Sequence, residues 1–156
     1  MKKPILLIDF DGVIHNYSSG WRGARNIPDL PVPRALGFLV EATYYFKVNI
    51  YSSRSNQFGG RRAMKRWLKK HYFDLGMSLE NCESLFGHPF GEFIAKTAFT
   101  GPWKDKVKWA IRRLFKMIKF PKKKPAAFLT IDDRCFCFRG TFPDAPELLK
   151  FKAWNK

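Results

Sequence analysis

The sequence predicts an open α/β sheet, mainly parallel, built by one domain of 156 residues. Three observations carry that expectation. Short apolar runs rich in Ile, Leu, Val and Phe alternate with stretches of helical apolar spacing. Three of those runs end abruptly in polar residues: Asp9-Phe10-Asp11, Ser52-Ser53-Arg54 and Asp132-Asp133-Arg134. In open α/β sheets the ligand lies outside the carboxyl ends of the strands, so these endings fall where chemistry is expected.

Taken in order, Lys3 to Phe10 reads as a buried strand and is followed by a loop rich in Gly, Ser and Pro as far as Pro33. Pro31 and Pro33 suit the first turn of a helix over Arg34 to Tyr45, which directs Leu36, Leu39, Val40 and Thr43 to a core. Lys47 to Tyr51 is a second short strand. Gly59-Gly60 opens a basic helix with Met64, Trp67, Leu68 and His71 on one face. Residues 74–103, interrupted by Gly76, Gly87, Gly91 and Gly101, read as an irregular insertion or small cap. A second basic helix buries Val107, Ile111, Leu114, Phe115 and Ile118, and Pro121 stops it. Ala126 to Ile131 is the third buried strand, and Phe136 to Phe138 a further edge strand.

Composition narrows the class. A hydrophobic content of 46% and an aromatic content of 17% argue against disorder. No apolar run nears the roughly 18 residues needed to span a bilayer. The run Ile5–Ile8 is too short for the apolar core of a signal peptide. Cys82, Cys135 and Cys137 form no CxxC pair and no even set, so a reduced cytoplasmic interior is the simplest expectation, with packing as the role of Cys135 and Cys137. His15, His71 and His88 have no zinc-ligand spacing.

Charge is the strongest compositional signal. Lys and Arg number 29 against 13 Asp and Glu, a net +16. Residues 54–70 carry seven cations and no acid, and residues 104–124 ten cations and one acid. The faces Arg62/Arg66/Lys70 and Lys108/Arg112/Lys116 repeat at i, i+4. Such an excess repels itself unless a polyanion or anionic substrate is near, and nucleic acid or another polyanion is the expected partner. The plainer reading is two solvated helix faces.

Four carboxylates gathered at one sheet edge would each be driven toward protonation without a cation. Mg²⁺, a hard ion with oxygen ligands, resolves the repulsion. An aspartate beside it can attack phosphorus, and a second aspartate two residues on can handle the protons. A strand-end serine and a lysine would hold the phosphoryl oxygens.

At these residues the chain resembles the haloacid dehalogenase (HAD) superfamily. Ile8-Asp9-Phe10-Asp11-Gly12-Val13-Ile14 is similar to its first motif, Tyr51-Ser52-Ser53-Arg54 to its second and Thr130-Ile131-Asp132-Asp133-Arg134 to its acidic fourth. The IDDR form is similar to those of deoxyribonucleotidases and of polynucleotide kinase 3′-phosphatase domains. The whole chain resembles small phage or prophage proteins of this type. The resemblance implies a Rossmann-like fold with helices on both faces of the sheet and a minimal cap. It implies a Mg²⁺-dependent phosphomonoesterase working through an aspartyl-phosphate, acting on a nucleotide or polynucleotide terminal phosphate. In that reading Asp9 is nucleophile and metal ligand, and Asp11 is general acid/base with its backbone carbonyl on the metal. Ser52 binds the phosphoryl group, with Ser53, Arg54 and Gly12 beside it, and Asp132 and Asp133 complete the metal site. The lysine motif stays open: Lys124 lies eight residues before Asp132 and leads into the strand, Lys122 lies ten before it, and Lys104 or Lys106 would start the preceding helix. A different class also fits the charge, a catalytically weak HAD-fold protein that binds nucleic acid or a host protein.

Overall fold

The computed structural model describes residues 2–80, 85–135, 148, 150 and 152–154. Within them the chain forms a mixed α/β fold: β1 (Ile5–Ile8), α1 (Ala35–Tyr45), β2 (Lys47–Ile50), a 3₁₀ turn (Ser53–Asn56), α2 (Gly60–Ser78), α3 (Pro89–Ala95), α4 (Trp103–Met117) and β3 (Leu129–Ile131). The sheet is small, open and parallel, in the order β2-β1-β3. Lys119 adds a rung outside β2, its N–H donating to the Val48 carbonyl (2.9 Å) and its carbonyl accepting from Ile50 (2.8 Å).

Register explains why the strand ends meet. Ile8 pairs with Ile50 on one side and Ile131 on the other. One residue further, Asp9, Tyr51 and Asp132 therefore stand level at the carboxyl edge. The backbone holds them there: Asp9 N–H donates to the Ile131 carbonyl (2.9 Å) and Tyr51 N–H to the Ile8 carbonyl (3.1 Å).

The central position of β1 accounts for its unbroken apolar composition, since Leu6, Leu7 and Ile8 are all buried. Burying each such side chain contributes about 1.5–3 kcal/mol. Helix α2 packs on α4 and α1 on α3. Met64, Trp67, Leu68 and Tyr72 from α2 meet Val107, Ala110, Ile111 and Leu114 from α4 in one core with Phe10 and Ile14. Two hydrogen bonds tie α2 across the fold: Tyr72 Oη donates to the Leu36 carbonyl (2.7 Å) and Trp67 Nε1 to the Asp29 carbonyl (3.2 Å). The second pins the long loop after β1.

Several expectations change. The stretch 74–103 carries the end of α2 and the whole of α3, and its Phe90, Phe93 and Ile94 belong to the main core. Its glycines mark close packing: a β-carbon on Gly76 would meet Val107 Cγ1 at 2.6 Å. The third strand is shorter than expected and partly open, with Leu129 50% exposed. Cys135, expected to pack, is exposed. Phe136 to Phe138, Cys82 and Cys137 lie outside the described residues. Among those described, no helix is long and apolar enough to cross a membrane.

Candidate functional site

A hollow of about 290 Å³ lies at the carboxyl edge of the sheet. Asp9 and Asp11 from the end of β1, Ser52 and Ser53 after β2, Lys124, and Asp132 after β3 all line it. Residues up to 123 positions apart in sequence are thus gathered because three parallel strands end together.

Asp9, Asp132 and Asp133 each place a carboxylate oxygen within 4.8 Å of the other two. Burial pushes the Asp9 carboxyl up to about 7, and the neighbouring carboxylates of Asp132, Asp11 and Asp133 push in the same direction. Asp133 is raised as well, first by burial, with Asp132 adding to it and Arg134 opposing. Both Asp133 oxygens are buried and, among the described residues, accept no hydrogen bond; Arg134 Nε lies 3.6 Å from Oδ2. A buried carboxylate without donors is expensive unless a cation answers it. Three carboxylates this close could hold a hard divalent cation such as Mg²⁺, which takes oxygen ligands.

Asp11 has a different environment. Arg54 Nε lies 2.8 Å from Oδ2 and 3.0 Å from Oδ1, His15 Nδ1 is 2.9 Å from Oδ1, and Ser52 Oγ donates to Oδ2 at 3.3 Å. Burial raises this carboxyl, but the hydrogen bonds from His15 and Arg54 outweigh it and carry Asp11 below its ordinary value. His15 Nε2 accepts the Asp29 N–H (3.1 Å), so Nδ1 holds the ring proton and donates it to Asp11. The Asp11 carboxylate is not part of the three-acid cluster. Only its backbone carbonyl remains for the metal role expected of it.

Arg54 is the main correction. Expected beside a phosphate, it is fully buried behind Asp11. Its Nη1 donates to the Gly23 and Asn26 carbonyls (2.7 and 3.0 Å), and its guanidinium lies 4.6 Å from the Trp21 ring centroid. It therefore joins Asp11 to the loop after β1. The geometry also redirects Gly12. Its N–H donates to the His15 carbonyl (2.8 Å) and so is not free for a phosphate. A β-carbon on it would overlap the Asp133 carboxylate, with Cγ only 2.6 Å away. Gly12 makes room for an acid.

Ser52 is buried and caps the 3₁₀ turn, its Oγ accepting from Arg54 N–H (3.3 Å). Ser53 is exposed on the rim. Of the four lysines considered, Lys124 alone lines this hollow among the described residues; Lys122 lines a neighbouring one, and Lys104 and Lys106 stand on the first turn of α4.

No family model, curated protein or solved structure matches the chain.

Leu7, Tyr17, Tyr51, Thr130 and Arg134 also line the hollow, although the sequence assigns none of them a role in the site. Arg134 was legible as the residue after the double aspartate. Tyr17 was not: it reaches the hollow from a left-handed backbone conformation (φ 64°), which apolar patterning does not report.

Proposed function

We propose that the chain is a Mg²⁺-dependent phosphomonoesterase of HAD type, with a Rossmann-like fold, acting on a phosphate carried by a nucleotide or polynucleotide. The observation that carries the reading is the cluster of Asp9, Asp132 and Asp133, with Asp133 buried and without donors, in a hollow that also holds a hydroxyl and a lysine. The register that brings Asp9 level with Asp132 supports the fold assignment.

Asp9, Asp132 and Asp133 would hold the ion. When bound, it neutralises the phosphoryl oxygens and favours the ionised form of Asp9. An Asp9 carboxylate oxygen attacks phosphorus, the ester P–O bond breaks, and the departing alkoxide takes the proton that Asp11 carries into this half. Water then attacks the same phosphorus, its proton passes to Asp11, and the Asp9–phosphorus bond breaks to release phosphate. Asp11, kept ionised by Arg54 and His15, suits the base role in the second half. Its acid role in the first half requires the pair with Arg54 to loosen on substrate binding. Lys124 supplies a donor for the phosphoryl oxygens, and the Ser52 hydroxyl supplies a second once its proton turns from Asp11 to the substrate.

The test is hydrolysis of p-nitrophenyl phosphate with and without Mg²⁺. Turnover that requires the ion and disappears in Asp9→Asn, with the fold retained by circular dichroism, supports the reading. An Asp9→Asn variant with near-wild-type kcat overturns covalent catalysis through this residue.

A further inference from the structure

A second hollow, of about 750 Å³, lies on the other side of the 3₁₀ turn from the acidic site. Six cations line it: Arg25 from the loop after β1, Arg61, Arg62, Lys65 and Arg66 from α2, and Lys122. No carboxylate is among its described lining residues, and among the described residues none of the six has an acid within ion-pair distance; Arg61 Nη1 donates to the Phe120 carbonyl (3.4 Å) and Lys65 Nζ lies 5.2 Å from the Phe120 ring centroid. On the same helices Lys70 pairs with Asp74 (2.8 Å) and Lys108 with Asp105 (3.2 Å), outside the groove. The groove thus gathers six members of the chain's general excess of cations on one surface. The expected stripe Arg62/Arg66/Lys70 ends before Lys70, and the α4 stripe does not line this groove.

The two hollows share a wall. Tyr51 lines the acidic one and Asn56 the basic one, and Asn56 Nδ2 donates to Tyr51 Oη (3.1 Å). Lys124 and Lys122, two residues apart, serve one hollow each. Phe58 stands in the basic groove with its side chain almost wholly in solvent, 92% exposed, and also lines the next hollow with Arg22. An apolar ring held out beside six cations matches the two features that bind single-stranded nucleic acid: a positive track for the backbone and an aromatic platform for an unpaired base. A duplex keeps its bases stacked on each other and gives such a ring nothing to cover.

We infer that the groove of Arg25, Arg61, Arg62, Lys65, Arg66 and Lys122, with Phe58, binds a single-stranded polynucleotide whose end is delivered over Tyr51 and Asn56 into the acidic hollow. Delivery of the end rests on the phosphatase reading; binding in the groove does not. The backbone phosphates next to the terminus occupy the basic hollow, and Phe58 stacks on a base further along.

The experiment is fluorescence anisotropy with a dye-labelled twelve-nucleotide single strand lacking terminal phosphates, over a range of salt. About five phosphate contacts give a log–log slope near −3.5, at roughly 0.7 per phosphate on single strands. The triple charge reversal Arg62→Glu, Lys65→Glu, Arg66→Glu is expected to flatten the slope and weaken binding at least about a hundredfold at low salt. Phe58→Ala is expected to weaken it about tenfold with the slope unchanged. Thermal unfolding confirms that both variants fold. A flat salt dependence for the wild type, or a triple variant that binds as the wild type does, overturns the groove. Equal affinity for the matching duplex overturns its single-strand character. Wild-type hydrolysis of p-nitrophenyl phosphate, read in parallel, separates the two readings: turnover without groove binding leaves the phosphatase standing alone, and groove binding without turnover leaves the groove and removes the phosphatase.

Discussion

Gly12 lies directly beneath the Asp133 carboxylate, so close that a β-carbon at this position would come within 2.6 Å of Asp133 Cγ. Its backbone is also in the left-handed region, φ 87°, where a side chain is strained. The first strand-end motif and the last are thus fitted to one another, and the acid that lacks hydrogen-bond donors is seated on the residue that lacks a side chain.

Gly12→Ala is expected to displace Asp133 and lower Mg²⁺ affinity by about 10–100-fold, the usual effect of disturbing a metal site's supporting contacts. Isothermal titration with Mg²⁺ reads this directly. Asp132→Ala, which removes a proposed ligand outright, is expected to abolish the isotherm. Unchanged affinity in both variants would put the ion elsewhere.

Arg54→Gln removes the charge paired with Asp11 and weakens the anchoring of the Gly23 and Asn26 carbonyls. Breaking a buried pair from one side destabilises by about 3–5 kcal/mol. Urea unfolding should therefore show a large loss of stability. Arg54→Lys is expected to rescue little of it, because one ammonium cannot face Asp11 and both carbonyls as the planar guanidinium does. Full rescue by lysine would mean that charge alone, not the fork, joins the loop to Asp11.

In the metal-free chain Asp9 keeps its proton to about pH 7. An ion that needs the carboxylate must displace that proton, so Mg²⁺ binds more tightly as pH rises toward 7 and its affinity levels off above it. Near pH 6, calorimetry in buffers of different ionisation enthalpy should find about one proton released per ion. Proton release that is absent at pH 6 would exclude Asp9 from the ligand set.

Gly76 permits the close approach of α2 and α4, with Val107 Cγ1 where a β-carbon would sit. The Trp103 indole N–H also donates to the Gly76 carbonyl (2.9 Å), which holds the two helices at this separation. Gly76→Ala is expected to cost about 1–3 kcal/mol by overpacking. In combination with Val107→Ala the damage should be less than the sum of the two single substitutions, since the smaller partner relieves the overlap. Strict additivity in a thermal-unfolding cycle would show that the helices do not touch there.

The apolar runs around Leu6, Val48 and Ile131 and the acids and serines that end them were readable directly, because burial and strand period are local properties of a chain. The faces of the two basic helices were readable for the same reason, and Val107, Ile111 and Leu114 are buried as their spacing predicts. Residues 74–103 hold more helix than their glycines suggest, because Gly76 is a place where Val107 of α4 approaches closely and Gly91 one where the backbone of Leu85 does. The partners of individual charges were not legible. Arg54 follows a serine pair that suggests a phosphate, yet it turns inward to Asp11, 43 positions away, because burial in that crevice leaves an arginine only a carboxylate and free carbonyls to bind. Likewise, eight or ten residues of separation could not choose between Lys124 and Lys122; the path of the chain past Lys119 and into β3 brings one to the acidic hollow and the other to the basic groove. Local sequence determined which residues would be buried and where the strands would stop. Only tertiary packing decided which charge faces which, because Coulomb and hydrogen-bond energies depend on distances in space that spacing along the chain does not set.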